Sequence, residues 1–308
     1  MALPKLNVQK IDTFSGHRDC VYTLAESDTP QTFFSAGADG LVVKWDLSRP
    51  DFGDVVARVP GSVYALAYDA LRGQLWLGQN FEGIQVIDPN TKQVVSSSKI
   101  TNASIFDIQF FENQAFIALS DGVLIVMDIP NFAVRKHLKA TDQSARCVAI
   151  CPQTRQIAVG YSDHLIRIFG ADDLELRHTL NAHTNSVFTL SYSPDGQFLL
   201  SGGRDVHLKV WDVAKDYALY KDIAAHLFAI NHLTFSSDQV WFATCSMDKS
   251  IKIWDATTFQ LLKVIDRARH AGHGTSVNKL LWTSFQRQLL SCSDDRLMSV
   301  WAIEEPSV

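Results

Sequence analysis

Short runs in which apolar and polar residues alternate recur along the whole chain, each too short for a stable helix and bounded by turn residues. Cys20 to Glu26, Gln31 to Ala36, Leu41 to Asp46 and Val55 to Val59 are a representative set of four. A period of two puts successive side chains on opposite faces of an extended segment, so these runs predict strands. Tight-turn signals separate such runs, among them Ala38-Asp39-Gly40 and Ser193-Pro194-Asp195-Gly196.

The pattern is periodic on a longer scale. VVKWD (42–46), HLKVWD (207–212) and IKIWD (251–255) share a β-branched strand ending in Trp-Asp, and degenerate copies carry Ile87, Met127, Phe169 and Trp301 at the Trp position. The marker therefore falls at 45, 87, 127, 169, 211, 254 and 301, with spacings of 42, 40, 42, 42, 43 and 47. A unit of about 40 to 45 residues holding several short strands is the signature of propeller blades.

Inside the unit a finer rule holds. His17 to Ser35, His183 to Ser201, His226 to Thr244 and His273 to Ser291 are each 18 residues apart; Asp39, Asp205, Asp248 and Asp295 follow after 4 more, and Trp45, Trp211, Trp254 and Trp301 after a further 6. An indole only donates, a carboxylate only accepts, and a hydroxyl does both, so the four groups can satisfy one another in a buried relay. Ser, His and Asp are also the residue types of a hydrolytic triad, but four equivalent copies with the hydroxyl occupied by an indole point to structure. No Gly-rich phosphate loop or Gly-x-Ser-x-Gly elbow is present.

Together with Gly16-His17 and Gly272-His273, and the relaxed Ala182-His183 and Ala225-His226, these residues make the chain resemble the WD-repeat family of β-propellers. The resemblance implies an all-β fold: a seven-bladed propeller of four-stranded antiparallel blades forming a single domain over 1–308. The blades are expected at about 15–59, 60–99, 100–139, 140–180, 181–224, 225–266 and 267–303. The last unit holds only three strands, so Val8 to Phe14, within a closing strand at 6–14, should supply its fourth and remove an exposed edge. Three units depart from the pattern. The positions of His, Ser and Trp are Thr141, Val159 and Phe169 in blade 4 and Lys99, Ile117 and Met127 in blade 3, although Asp163 and Asp121 remain. Blade 2 lacks even the Asp, and its turn, Gln79-Asn80-Phe81-Glu82-Gly83, aligns loosely.

Composition narrows the function. With 28 Lys and Arg against 33 Asp and Glu, net charge −5, the surface as a whole offers nucleic acid no positive field. No apolar run reaches the length that spans a membrane and no secretory signal opens the sequence, so a cytoplasmic, monomeric protein is expected, with no membrane or nucleic-acid partner. The five cysteines form no paired framework. Cys147 and Cys151 flank one strand, where residues four apart stand about 13 Å from each other, so they read as buried apolar groups. His270 and His273 lose a metal reading because His273 belongs to the relay. No metal, cofactor or catalytic residue is expected.

In the WD-repeat family three positions per blade commonly face partner proteins: the third and fifth residues after the His, and the residue before the Asp. The fifth-residue series is Tyr22, Tyr64, Phe106, Arg146, Phe188, Asn231 and Asn278; the third is small throughout (Cys20, Ser62, Ser104, Ser144, Ser186, Ala229 and Ser276). The pre-Asp series includes Arg204, Met247 and Asp294. Two readings of the aromatic arc stand side by side: rings that plug the top of a channel, or a recognition surface of hot-spot composition in which Arg146 and Arg204 converge on an acidic group. The resemblance implies a non-catalytic scaffold binding a protein or peptide, with a partner residue that is acidic or phosphorylated. The alternative is a propeller enzyme with hydrolase or lyase activity, which the scarcity of carboxylates on this face disfavours. The run Arg267-Ala268-Arg269-His270 is expected as a solvated loop on the same face.

Overall fold

A computed structural model describes residues 6–305. Among these residues, 28 strands form seven four-stranded antiparallel sheets, each a meander, and the fold is a seven-bladed β-propeller. In the first blade the strands are Val21–Glu26, Thr32–Gly37, Leu41–Asp46 and Gly53–Arg58. The fourth begins two residues before the segment that alternation picks out, because Gly53 itself pairs with Trp45. A Cβ at Gly53 would come within 2.6 Å of the Trp45 ring, so the backbone can pass here only as glycine. Among the described residues no helix is long and apolar enough to cross a membrane.

The last blade is completed from the other end of the sequence. Asn7–Phe14 lies antiparallel to Met298–Glu304, pairing Val8 with Ile303 and Phe14 with Met298, in the order first-strand-of-chain, third, second, first of the blade. Phe14 is fully buried and meets Phe33 and Trp45 edge-on at 5.3 and 5.5 Å.

The contacts divide the chain into two compact units, Met1–Pro60 with Asn231–Val308, and Gly61–Ile230. Within the first, the core between blades 7 and 1 is built from Phe14, Leu24, Phe33, Val43, Trp45, Leu290, Met298 and Val300. Within the second, Trp76, Ile84, Val86, Ile108, Ile117 and Ile125 pack blade 2 on blade 3, and Phe116, Val126, Val148, Ile157 and Phe169 pack blade 3 on blade 4.

Hydrogen bonds tie the blades that carry the His, hydroxyl, Asp and Trp set. Trp45 Nε1 donates to Ser35 Oγ at 2.7 Å, Ser35 Oγ meets His17 Nε2 at 2.7 Å, and His17 Nδ1 lies 3.0 Å from Asp39. Asp39 also accepts from the backbone of Arg18 and Leu41, which fixes the turn to the loop ahead of the first strand. The same bonds recur through His183, Ser201, Asp205 and Trp211, and through His273, Ser291, Asp295 and Trp301. In blade 6, Trp254 Nε1 donates to Thr244 Oγ1 at 2.9 Å. Since the carboxylate cannot donate, Nδ1 carries the proton, and the hydroxyl that accepts from the indole donates to Nε2.

The blades without the set solve the same problem in other ways. In blade 4, Val159 and Phe169 are buried apolar replacements, and Asp163 is held by Arg167 at 2.8 Å instead of by a histidine. The Arg167 guanidinium in turn lies 4.7 Å from the Tyr161 ring. In blade 3, Ile117 and Met127 are buried and Asp121 accepts only from Val123 N in its own turn. Replacing the indole and the hydroxyl together removes a donor along with its acceptor, which is why apolar packing suffices at those two positions.

Removing residues 1–14 is expected to expose the paired edge of Met298–Glu304 and the buried Trp301 and Ile303, giving aggregate on gel filtration; a truncated monomer that melts with the full chain would contradict this. The second expectation concerns acid. Burial pushes the Asp205 carboxyl upward, but the hydrogen bonds from His183 and Thr184 N more than offset it and hold the pKa down at about 2. The unfolded chain therefore binds a proton more readily than the native one. Stability from this site is fully present above about pH 4 and is lost as pH falls toward 2, by roughly 1 to 2 kcal/mol after allowing for solvent screening. Urea denaturation at pH 5, 4 and 3 should show a shallower acid decline for Asp205→Asn than for the wild type.

Candidate functional site

The first strand of a blade carries a β-bulge one residue after its start. Register skips between Val21 and Thr23, Val63 and Ala65, Ile105 and Asp107, Ala145 and Cys147, Val187 and Thr189, and Val277 and Lys279. The residues left out of register are Tyr22, Tyr64, Phe106, Arg146, Phe188 and Asn278. A bulge re-aims a side chain that a regular pleat would send to a flanking face. Because the bulge repeats, side chains that would have packed between blades share one end of their sheets.

The inner strand of each blade pairs on one side only, so backbone N–H groups on its other edge need acceptors. Asp107 Oδ2 accepts from Val148 N at 2.8 Å, and His232 Nδ1 accepts from Leu280 N at 3.3 Å, each reaching to the next blade. Burial of the imidazole and the nearby Lys279 charge hold His232 well below its ordinary pKa, so it is the neutral acceptor the contact requires.

Within Gly61–Ile230 the bulged residues form a continuous stack. The Tyr64 and Phe106 ring centroids are 5.9 Å apart, and the Arg146 guanidinium sits 4.0 Å from the Phe106 ring and 4.9 Å from the Phe188 ring. All four side chains are half-buried. Burial pulls the Arg146 pKa below its usual value, and among the described residues no carboxylate pairs with it. The positive charge is compensated only by the quadrupoles of two rings and by solvent. Arg204 is exposed in the turn of blade 5, where its N–H donates to Ser186 O, and it too makes no ion pair among the described residues.

The unit formed by Met1–Pro60 and Asn231–Val308 carries a different chemistry at the equivalent positions. Asn231 Nδ2 donates to Ser276 Oγ and Val277 O, and Asn278 Nδ2 donates to Val21 O and Asp294 Oδ1, both at 2.8 Å. Cys20 Sγ faces Asp294 O at 3.7 Å, and burial with the Asp294 and Asp19 carboxylates pushes the thiol up to about 11. These amides stitch blade 6 to 7 and 7 to 1. Met247 stands 50% exposed. Tyr22 is half-buried.

Two features differ from the sequence expectation. Arg267–His270 is one turn of α-helix, not a loop: Asp266 caps it by accepting from Arg269 N at 2.9 Å and also binds the Arg269 side chain, so those charges are engaged. Blade 2 aligns fully once its backbone is seen. Asn80 N bonds to Ser62 O as Ala38 N bonds to Cys20 O, which puts Asn80 in the pre-Asp place and Phe81 in the place of the Asp. Phe81 adopts φ 67° and is 60% exposed. Cys147 and Cys151 are both buried, and among the described residues no group of three or more His, Cys, Asp or Glu is placed to hold a metal.

The family model described as "WD domain, G-beta repeat" matches residues 8–46, 174–212, 218–255 and 265–302, half of the chain. The chain belongs to the WD-repeat family. Human striatin is 23% identical over 234 residues, covering 68% of this chain and 30% of striatin. Meiotic fizzy-related protein 1 of Schizosaccharomyces pombe is 26% identical over 212 residues, 67% of this chain and 50% of that protein. The chain thus spans between 30% and 50% of the length of these relatives. The crystal structure of the WD40 β-propeller domain of Doa1 superposes with a TM-score of 0.83 at 16% identity, covering 96% of this chain and 97% of that one. The matched repeats are those that carry the hydrogen-bonded set, whereas blades 2, 3 and the first three strands of blade 4 lie in the stretch no repeat match reaches.

Replacing the bulge acceptor tests the geometry. Asp107→Ala leaves Val148 N–H without its partner between two blades and should cost about 1 to 3 kcal/mol in urea unfolding. Unchanged stability would mean that the bulge does not depend on that bond.

Proposed function

We propose that this WD-repeat propeller is a non-catalytic protein-interaction module, and that it holds a peptide segment of its partner on Tyr64, Phe106, Arg146 and Phe188, with an acidic or phosphorylated residue at Arg146. The observation that carries this reading is the guanidinium clamped between two rings with no carboxylate of its own. A cation partly withdrawn from water and lacking a counter-charge gains most from an anion that arrives with a partner, and the flat ring faces suit apolar side chains on either side of it. Arg204 adds a second exposed guanidinium on the same unit.

The three hydroxyls that meet a histidine also accept from an indole inside the blades, which supports a structural use of the Ser, His and Asp residues over a catalytic one. On the other unit, taken by itself, Tyr22, Asn231, Met247, Asn278 and Asp294 are further proposed contact residues, and there the Asn231 and Asn278 amides join blades.

Affinity purification from cell extract with the wild type and Arg146→Glu, scored by mass spectrometry, tests the reading. Partners recovered by the wild type should fall at least about tenfold, through loss of a charged hydrogen bond and added repulsion, while the melting temperature changes little. If instead the rings only fill the centre of the fold, Tyr64→Ala and Phe106→Ala will lower the melting temperature and leave partner recovery unchanged.

A further inference from the structure

The loop that leads into blade 6 is chemically unlike its counterparts. The two residues after the relay histidine are Arg18-Asp19 in blade 1, Thr184-Asn185 in blade 5 and Gly274-Thr275 in blade 7, but Leu227-Phe228 in blade 6. Leu227 is 83% exposed and Phe228 60% exposed. Adjacent large apolar side chains with this much exposed surface mark binding surfaces.

The backbone fixes where this dipeptide sits. Ala225 N and His226 N both donate to Val206 O, so the loop is pinned to the blade 5 turn that carries Arg204. That turn is tied through Arg204 N to Ser186 O, two residues before Phe188, whose ring contacts the Arg146 guanidinium. A connected path therefore runs from the Phe106, Arg146 and Phe188 stack, past Arg204, to Leu227 and Phe228, all inside Gly61–Ile230. Along that backbone path Arg146 and Arg204, neither with a carboxylate partner among the described residues, come between the aromatic stack and the exposed apolar pair.

We propose that Leu227 and Phe228 form a second, specificity-determining subsite, and that the occupant is an extended peptide segment in which an anionic residue, bound at Arg146 and Arg204, is followed or preceded by a large aliphatic or aromatic residue docked on the Leu227-Phe228 loop. This rests on the peptide-binding reading above and adds a selectivity that the charges alone cannot give. An anion site discriminates charge; the apolar pair discriminates side-chain size, because only a large apolar residue covers both exposed groups.

Positional-scanning peptide libraries with a fixed central Glu, and a parallel set with a fixed central phosphoserine, test it against the full chain, the Leu227→Ser/Phe228→Ser variant and Arg146→Glu. The wild type is expected to select the central anion over Ala and, at one flanking side, Leu, Ile, Phe or Met over Ser by about tenfold. The double serine variant should keep the selection for the anion and lose the apolar preference, with an unchanged circular-dichroism melting curve; Arg146→Glu should lose the anion selection. The two libraries tell a carboxylate from a phosphate as the preferred anion. Anion selection without any apolar preference, or an apolar preference that survives in the double variant, overturns the subsite while leaving the peptide-binding reading intact. No selection for the anion in either library overturns both.

Discussion

A buried N–H must meet an acceptor, and most of the distinctive residues of this propeller answer that demand. Inside three blades an indole, a hydroxyl, an imidazole and a carboxylate pass hydrogen bonds from one to the next until the last proton reaches a group that can only accept. At the inner strands the unpaired edge presents further backbone donors, and Asp107 and His232 take up two of them from the neighbouring blade. The requirement explains substitutions as well as retentions. Blade 4 gives up the whole set except Asp163, and the orphaned carboxylate is met by Arg167, which stacks on Tyr161 where a histidine ring would otherwise lie in the blade.

The same inner strands carry the bulged residues proposed as the contact surface. A regular first strand would bury Phe106, Arg146 and Phe188 on a flanking face, whereas the extra residue turns each of them toward one end of its sheet. Structural necessity and recognition are thus separated by one residue along the strand: position 107 satisfies the neighbouring blade while position 106 faces outward to the stack. The two units use the device differently. Asn231 and Asn278 spend their amides on the backbone of the next blade, while in the other unit Arg146 packs between the Phe106 and Phe188 rings.

Much of the fold could be read from the chain because its chemistry is carried by residue types at fixed spacing. Trp, His, Asp and a hydroxyl recur at intervals that pleated strands and tight turns impose, and the alternation of Val8 to Phe14 announces a strand with no unit of its own. What spacing does not encode is a local change in backbone path. The bulge leaves no mark in the residue alphabet, so the direction of Tyr64 or Arg146 rested on the family resemblance, and the roles of Asp107 and His232 went unseen. The cap at Asp266 was present as a residue before Arg267 and could have signalled the helical turn. Blade 2 resisted alignment because Phe81 occupies a left-handed position that residue preference reserves for glycine or asparagine. The Leu227-Phe228 pair was visible in the sequence but indistinguishable from core residues until its exposure was known.

The sheet that joins Asn7–Phe14 to Met298–Glu304 sets a clock on biosynthesis. Nearly the entire chain separates the two strands, and at about 5 to 20 residues per second the earlier one waits roughly 15 to 60 s for its partner to leave the ribosome. Throughout that interval an amphipathic strand bearing Val8 and Phe14 lacks its paired strand, although Phe33 and Trp45, the neighbours of Phe14, are already made. A nascent chain of this topology therefore passes through a long window in which chaperone occupancy of one short segment decides between closure and association with another copy.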